Sequence, residues 1–126
     1  VFSNIALVPD GGLSWLLARN IGYSKALEFA IEAKKISSQE CLQLGIANKV
    51  CSPENLESET QKWAQSISMR SPQAVTNTKK IMRDSLEKKF IQTYEDEANT
   101  QNSIFGNDEF KEGVTAFFEK RKPVFK

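Results

Sequence analysis

Asp10 is the residue whose position most strongly suggests chemistry. It follows an apolar run that ends at Pro9 and precedes Gly11 and Gly12, in the segment NIALVPDGGLSWLL. A carboxylate at this point can move a proton in a reaction, or it can serve as the N-cap of the helix that follows. Glycines cost about 1 kcal/mol each inside a helix, whereas a ligand that must approach the backbone gains from them. The glycine pair therefore favours a chemical role for Asp10.

Several other kinds of chemistry lack the residues they need. The chain has no histidine, and its two cysteines, Cys41 and Cys51, are not in a CxxC spacing. The usual zinc sites and the Ser-His and Cys-His catalytic pairs are therefore excluded, and we predict no metal site. With 17 basic and 16 acidic residues the net charge is +1. This balance does not indicate a nucleic acid or an anionic membrane as a partner.

The elements that must position Asp10 are predicted to be a strand before it and a helix after it. The 126 residues suffice for one domain with a modest core. Apolar spacing predicts a helix from Asp10 or Gly11 to about Arg19, and a second helix follows Gly22. The predicted segments are a strand at residues 2–8 and helices at residues 10–19 and 23–33.

Capping signals divide the remainder of the chain into further helices. Ser37 and Glu40 have the spacing of a capping box, and Gly45 is a stop signal. A short edge strand is expected in the following IANKVC segment. Hydroxyls precede prolines at Ser52-Pro53 and Ser71-Pro72, a pattern typical of helix starts. Later helices are predicted at about residues 90–105 and from Asn107 or Asp108 to Pro123.

The order of these motifs resembles the crotonase, or enoyl-CoA hydratase/isomerase, family. The similarity runs through IALVPDGGLSWLLARNIGYSKALEFAIEAKKISSQECLQLGIANKV, then SPQAVTNTKKIM, then DEFKEGVTAFFEKRKPVF. It implies the α/β crotonase (ClpP/crotonase-like) fold, of which this chain is the mostly α-helical C-terminal half with one short N-terminal strand. Residues 1–50 would end the spiral core and supply acyl-pocket helices. Residues 51–126 would form the C-terminal helical region for oligomerisation and coenzyme A contacts.

The resemblance also implies an N-terminal half outside these residues, because family members are about twice as long. That half would supply the backbone N–H groups that hold the thioester oxygen. This chain taken alone is therefore expected to be incomplete and inactive. The family's reactions pass through a thioester enolate, which needs two N–H donors and a carboxylate that moves a proton.

Within the family, the visible acid favours an isomerase. Hydratases use two glutamates, and the second would lie seven residues before Pro9, where this chain has Phe2. Isomerases place one acid directly after the proline, which here is Asp10. We therefore expect a Δ3,Δ2-enoyl-CoA isomerase. An enoyl-CoA hydratase and a non-catalytic acyl-CoA-binding module of the same fold remain alternatives, because a fold does not fix a function.

The resemblance assigns further residues to the acyl-CoA thioester. Phe117 and Lys120 would contact the adenine ring and the 3′-phosphate of coenzyme A, and the closing helix often reaches a neighbouring subunit's ligand. No cofactor is expected beyond coenzyme A as part of the substrate. The expected partner is a second copy of the chain in a homotrimer or hexamer, and the expected location is the cytoplasm, or mitochondria or peroxisomes in a eukaryote. The substrate-binding residues are predicted to be Pro9, Gly11, Gly12, Trp15 and Leu16.

Overall fold

The computed structural model describes residues 1–125 as two compact units, Val1–Leu56 and a second that begins at Glu57. Of the described residues, the first unit holds three α-helices and two short 3-10 helices (Phe2–Ile5 and Pro53–Asn55), and the second holds four α-helices. The helices of the first unit are α1 (Leu13–Ile21), α2 (Tyr23–Ile31) and α3 (Ser38–Gln43). Those of the second are α4 (Leu56–Ser68), α5 (Pro72–Asp84), α6 (Phe90–Ile104) and α7 (Asp108–Phe118). The functional division at residue 50 stays a prediction.

The predicted strands are wrong. Phe2–Ile5 form a 3-10 helix, and Ile46 and its neighbours before Cys51 are irregular, so residues 1–125 contain no strand. An isolated strand would leave its N–H and C=O groups without a ladder, and here the backbone closes local bonds instead. The Leu7 N–H donates to the Phe2 carbonyl at 3.0 Å. The Ser3 hydroxyl donates to the Ile31 carbonyl at 2.9 Å and so ties this segment to the end of α2.

The packing of the first unit is centred on α1 and α2, which Gly22 alone separates. Gly22 has a φ of 81° and a ψ of 154°, so it ends α1 in an extended positive-φ conformation. Ala26 and Phe29 on α2 are buried. The ammonium of Lys25 lies 4.9 Å from the centre of the Phe29 ring, and the Glu28 carboxylate pairs with the same ammonium.

Predicted capping signals define several helix starts. Ser37 and Glu40 form a complete capping box at α3, and Gly45 follows that helix with a φ of 73°. In the second unit the Ser71 hydroxyl accepts from the Ala74 N–H at 3.0 Å at the start of α5. Asn107 caps α7 by accepting from the Phe110 N–H at 2.8 Å. Local side-chain to backbone bonds therefore set these boundaries, as the sequence predicts.

The starts of α5 and α7 are bonded to each other. The Glu109 carboxylate accepts from the Ser71 hydroxyl and, at 3.4 Å, from the Gln73 N–H. The Asn107 side-chain amide donates to the Gln73 side-chain oxygen at 2.6 Å. The bond from the Gln73 N–H satisfies a donor that a helix start leaves unpaired, and the two side-chain bonds join the start of α5 to the start of α7.

Candidate functional site

The PDGG turn places Asp10 two residues before the helix cap. α1 begins at Leu13, and its N-cap is Gly12, which makes no side-chain capping bond. The Leu13 N–H donates to the Asp10 carbonyl at 3.0 Å, and the Leu16 N–H donates to the Gly12 carbonyl at 3.0 Å. The turn therefore uses the main chain of Asp10 and leaves its side chain out of the cap.

The two glycines have a conformational reason to be in this turn. Gly11 has a φ of 59° and Gly12 a φ of 84°, which is the left-handed region that residues with a Cβ seldom adopt. A Cβ built on either residue would meet nothing within 4 Å. Crowding in the described chain is therefore not what requires glycine here, and the backbone conformation is.

The Asp10 side chain is exposed and has no hydrogen bond or ion pair within residues 1–125. In the same unit Glu28 is engaged, because it pairs with Lys25 at 2.8 Å. A carboxylate that serves no structural contact is available for a ligand. Glu32 is also without such a bond in the described chain, so what distinguishes Asp10 is its position directly after Pro9.

An apolar cavity of about 440 Å³ lies beside this turn in the first unit. Pro9 forms part of its wall, next to Leu13 and Leu17 of α1 and Leu27 and Ile31 of α2. Of the side chains that border it, Ser3, Ser14 and Tyr23 carry the hydroxyls. A lining of this kind suits an aliphatic chain better than a polar ligand.

The structure brings only one predicted substrate-binding residue, Pro9, into this cavity wall. Gly11 and Gly12 lie in the adjacent turn. Trp15 is on another side of α1, where the Arg19 guanidinium lies 3.7 Å from the centre of its ring, and Leu16 is half exposed. With α1 beginning at Leu13, each residue turns about 100°. The larger apolar residues of α1 that face the cavity are therefore Leu13 and Leu17, four positions apart, rather than Trp15 and Leu16.

The second predicted site lies at the end of α7. The Phe117 ring is 78% exposed and packs edge-on against Phe118, with ring centres 5.7 Å apart. Lys120 does not share a helical face with Phe117, because α7 ends at Phe118 with Glu119 as its C-cap. The Arg121 N–H donates to the Ala116 carbonyl at 3.1 Å, which is a bond of a Schellman motif. Lys120 is its left-handed residue, with a φ of 55°.

The chain after Lys120 folds back along α7 and is held by what we call the tail clasp, formed by Glu112, Arg121 and Val124. The two terminal nitrogens of Arg121 donate to the two oxygens of Glu112 at 2.6 and 2.8 Å. The Val124 N–H donates to Glu112 at 2.7 Å. The Arg121 bonds, followed by the Val124 N–H, lower the pKa of Glu112 to about 2. A Cβ on Gly113 would meet the Phe125 ring at 3.8 Å, so the tail lies close to the helix.

Sequence reasoning missed the tail clasp. Glu112 and Arg121 are nine residues apart, a spacing that brings no two side chains together on one helix. They meet because the chain reverses at Lys120, a position where helices usually have glycine. The sequence offered one signal for this pair, an acid on the last helix and an arginine shortly before Pro123. Both residue types are common at such positions, so the signal does not indicate a contact.

Among residues 1–125, no group of three or more histidine, cysteine or acidic side chains is placed to hold a metal ion. No helix in that range is both long enough and apolar enough to cross a membrane.

Comparison with known proteins identifies the family. A sequence model of the enoyl-CoA hydratase/isomerase family matches residues 1–126. The chain is 36% identical to a trans-2-decenoyl-[acyl-carrier-protein] isomerase of Streptococcus mutans, covering 98% of this chain and 47% of the relative. It is 32% identical to a mitochondrial enoyl-CoA hydratase of Pongo abelii, covering 97% of this chain and 42% of the relative. The chain thus spans about half the length of these relatives.

The structural comparison agrees with the sequence match. A crystal structure of an enoyl-CoA hydratase subunit from Geobacillus kaustophilus superposes with a TM-score of 0.94 at 32% identity, over 99% of this chain and 49% of that one. The described residues correspond to a helical part of the crotonase fold. The chain belongs to the enoyl-CoA hydratase/isomerase family.

Proposed function

We propose that the protein shifts a double bond along an enoyl thioester, as a Δ3,Δ2-enoyl-CoA isomerase, with Asp10 as its acid/base. The observation that carries this proposal is the state of the Asp10 carboxylate. It is exposed, it makes no contact within residues 1–125, and it follows Pro9 in the wall of an apolar cavity. The similarity to a relative named as an isomerase supports the same reaction type.

In this mechanism Asp10 accepts a proton from C2 of a 3-enoyl thioester. The electron pair of that C–H bond forms the C1–C2 double bond of a dienolate, and the π pair of the thioester carbonyl moves onto its oxygen as negative charge. Asp10 then returns the proton to C4. The carbonyl re-forms, the C1–C2 pair becomes the C2–C3 double bond, the C3–C4 π pair forms the new C4–H bond, and the 2-enoyl thioester is released. One carboxylate suffices because no water is added. The resemblance assigns the two N–H donors for the enolate oxygen to residues outside this chain.

The apolar cavity is proposed to receive part of the acyl chain. Each methylene transferred from water into such a site contributes about 0.8 kcal/mol. Leu13 and Leu17 take this role instead of Trp15 and Leu16, because they line the wall that Pro9 also forms. Affinity for enoyl thioesters is therefore expected to rise with chain length until the cavity is filled.

The carrier of the thioester is proposed to be coenzyme A, although the relative from Streptococcus mutans is named for an acyl carrier protein. The two carriers differ chemically, since the prosthetic arm of a carrier protein has neither the adenine nor the 3′-phosphate of coenzyme A. Phe117 is largely exposed, and the Lys120 ammonium has no partner within the described chain. An exposed ring and an ammonium suit adenine and phosphate.

Hydration is the second candidate reaction. It is favoured by the high structural similarity to an enoyl-CoA hydratase subunit. The resemblance assigns hydratases a second acid at the position of Phe2, and Phe2 lies in the 3-10 helix before the turn. Its side chain has no proton to give or take. A hydratase would therefore have to draw its acids from outside this chain.

The test is Asp10→Asn in the full-length protein, assayed for 3-enoyl-CoA isomerisation and for 2-enoyl-CoA hydration. Because Asp10 makes no cap, the substitution leaves α1 intact. Isomerase turnover is expected to fall by about a hundredfold or more, as for loss of a positioned acid/base. Asp108→Asn is the matched control, since the Asp108 side chain is fully exposed. Isomerase turnover within about threefold of wild type, or hydration as the faster reaction, would contradict the proposal.

We further propose that the protein is a homotrimer or hexamer. Many large apolar side chains are exposed in the described chain, among them Phe90 at 83% and Tyr94 at 58%, whose rings stack 6.3 Å apart. Such surfaces are typical of interfaces. Light scattering of the full-length protein at a monomer mass would contradict this proposal. Its compartment stays a prediction, and one relative is named as mitochondrial.

A further inference from the structure

We propose that Glu112 is a positioning residue for the 3′-phosphate of coenzyme A, acting through Arg121 and Val124 on the turn that carries Lys120. This inference rests on the proposed contact of Lys120 with coenzyme A. None of the three residues of the tail clasp needs to touch the ligand. Their role is to hold the main chain of Lys120 in one conformation.

The first step is the backbone of Lys120. Its φ of 55° is in the left-handed region, where a Cβ crowds the following carbonyl oxygen. Glycine is the usual residue at this position of a Schellman motif. A lysine there costs free energy of folding, and a strained backbone at a ligand contact is a reason to look for a function. The positive charge of the Lys120 side chain provides such a function, which is to bind a phosphate.

The second step is what holds the strained turn. Two main-chain bonds close it: Lys120 N–H to the Phe117 carbonyl at 3.3 Å and Arg121 N–H to the Ala116 carbonyl at 3.1 Å. Beyond it, Glu112 binds both terminal nitrogens of Arg121 and the N–H of Val124. A bidentate arginine–carboxylate pair fixes orientation as well as distance. The segment on each side of Lys120 is therefore anchored to α7.

The third step is the use of the positive charges in the tail. Arg121 is bonded to two carboxylates, because its Nε also donates to Glu119 at 2.6 Å. The Lys120 and Lys122 side chains have no carboxylate partner within residues 1–125. Because Arg121 is engaged in ion pairs, a lysine is the cation available to bind the phosphate. Of the two lysines, Lys120 is the one whose main chain the motif constrains.

Loss of the Glu112 charge is therefore expected to free the turn and spread the Lys120 ammonium over many positions. The quantity that reports this is the ratio of the dissociation constants for dephospho-coenzyme A and coenzyme A, since only coenzyme A has the 3′-phosphate. A change in general folding alters both constants together. A change in phosphate recognition alters their ratio.

The experiment is calorimetric titration of the full-length protein with both ligands. Glu112→Gln is expected to lower the ratio by about three- to tenfold, part of the value of a charge-assisted hydrogen bond, with dephospho-coenzyme A binding within about twofold of wild type. Asp108→Asn makes the same charge change on the same helix, where the one ion pair of Asp108 in the described chain is a long, exposed one to Lys111 at 3.7 Å. It should leave the ratio unchanged. The double variant Glu112→Gln/Arg121→Gln should lose no more than the single one, because the pair acts as a unit.

Arg121→Lys provides a second route, because it keeps the charge and loses the bidentate geometry. If Glu112→Gln fails to fold by circular dichroism, Arg121→Lys carries the same expected loss in the ratio. An unchanged ratio in the folded variants, together with a collapsed ratio in Lys120→Ala, would overturn the role of Glu112 and leave the proposed function intact. A wild-type protein with equal affinities for both ligands would overturn the contact at Lys120 itself.

Discussion

Two turns of the chain adopt left-handed conformations with different residue types. Before α1, Gly11 and Gly12 take φ values of 59° and 84°, and after α7 Lys120 takes a φ of 55°. Glycine adopts this region at no steric cost, so the glycine pair is explained by the turn alone. Lysine does not, so the turn leaves Lys120 unexplained. Ala6 and Ala33 are left-handed as well, so the mismatch at Lys120 is informative because this residue also carries a charge that can bind a ligand.

The carboxylates beside the two turns differ in how many hydrogen bonds they accept. Asp10 has no partner within residues 1–125, whereas Glu112 accepts three hydrogen bonds, two from Arg121 and one from Val124. An acid held by three donors stays ionised and cannot exchange protons near neutral pH. Asp10 has no such donors within residues 1–125, so its oxygens are open to a ligand. In these terms, Asp10 is suited to chemistry and Glu112 to architecture.

The largest effect expected at the second turn comes from Lys120→Ala. Coenzyme A binding should weaken by about 1–3 kcal/mol, the scale of a hydrogen bond to a charged group, and dephospho-coenzyme A binding should weaken much less. Calorimetry with both ligands measures the difference. Lys122→Ala is the matched control, since the Lys122 side chain also lacks a carboxylate partner in the described chain.

Equal losses for the two ligands would mean that Lys120 does not contact the 3′-phosphate. A larger loss in Lys122→Ala than in Lys120→Ala would transfer the contact to Lys122. Either result would remove the functional explanation of the left-handed lysine.

Two Gly→Ala substitutions should act in opposite directions on the free energy of unfolding. Gly12→Ala forces a Cβ into the left-handed region at a cost of about 1–2 kcal/mol, offset by about 0.4–1 kcal/mol from the restricted unfolded chain. A net loss of roughly 0.5–1 kcal/mol is expected, although the Cβ meets no neighbour. Gly113→Ala lies within α7, where the added Cβ would be in ordinary contact with Phe125 at 3.8 Å. It should stabilise by about 0.5–1 kcal/mol. Chemical denaturation checks both, and a neutral Gly12→Ala would contradict the conformational reason for that glycine.

Lys120→Gly should separate stability from binding. Relief of the left-handed Cβ is worth about 1–2 kcal/mol, and the added freedom of glycine in the unfolded chain takes back about 0.4–1 kcal/mol. A net gain of roughly 0.5–1 kcal/mol in unfolding free energy is therefore expected, together with the same loss of coenzyme A affinity as in Lys120→Ala. A variant that gains no stability would show that Lys120 is not strained.

The smallest expected effect is on the stability of the protein at acidic pH. The pKa of Glu112 is lowered to about 2 by Arg121 and the Val124 N–H, against about 4.3 in an unfolded chain. The stabilisation by Glu112 is therefore complete above the unfolded value and is lost as the pH falls from about 4.3 to about 2. The melting temperatures of wild type and Glu112→Gln should converge over this window. A constant difference between them would show that the pair contributes no pH-dependent stability in solution.

The helix starts were predictable because their signals are local. Ser37 with Glu40, Ser71 with Pro72, and Asn107 each cap the predicted helix through bonds to residues three positions away. The 3-10 helix at Phe2–Ile5 was not predictable, because the same apolar run suits a strand or a 3-10 turn and only a pairing partner decides. No described segment supplies that partner.

The candidate site was predictable in its residue types and less so in its geometry. The candidate role of Asp10 could be predicted from the proline and glycines around it. The residues that line the cavity could not be predicted, because the face of α1 that packs depends on the start of α1 and on the approach of residues 3–9. The tail clasp joins residues across a chain reversal at a non-glycine residue, which propensity disfavours. Its prediction would have required the tertiary contact itself.

Only Ala26, Phe29 and Ala116 are buried among residues 1–125. The heat-capacity change and the denaturant slope of unfolding both scale with the surface that unfolding exposes. Residues 1–126 produced alone are therefore expected to unfold gradually, with a small heat-capacity step and a shallow denaturant slope. A sharp calorimetric transition in the full-length protein would then arise from surfaces that these helices share with other chain segments or subunits, so the cooperativity of unfolding would be a property of the assembly.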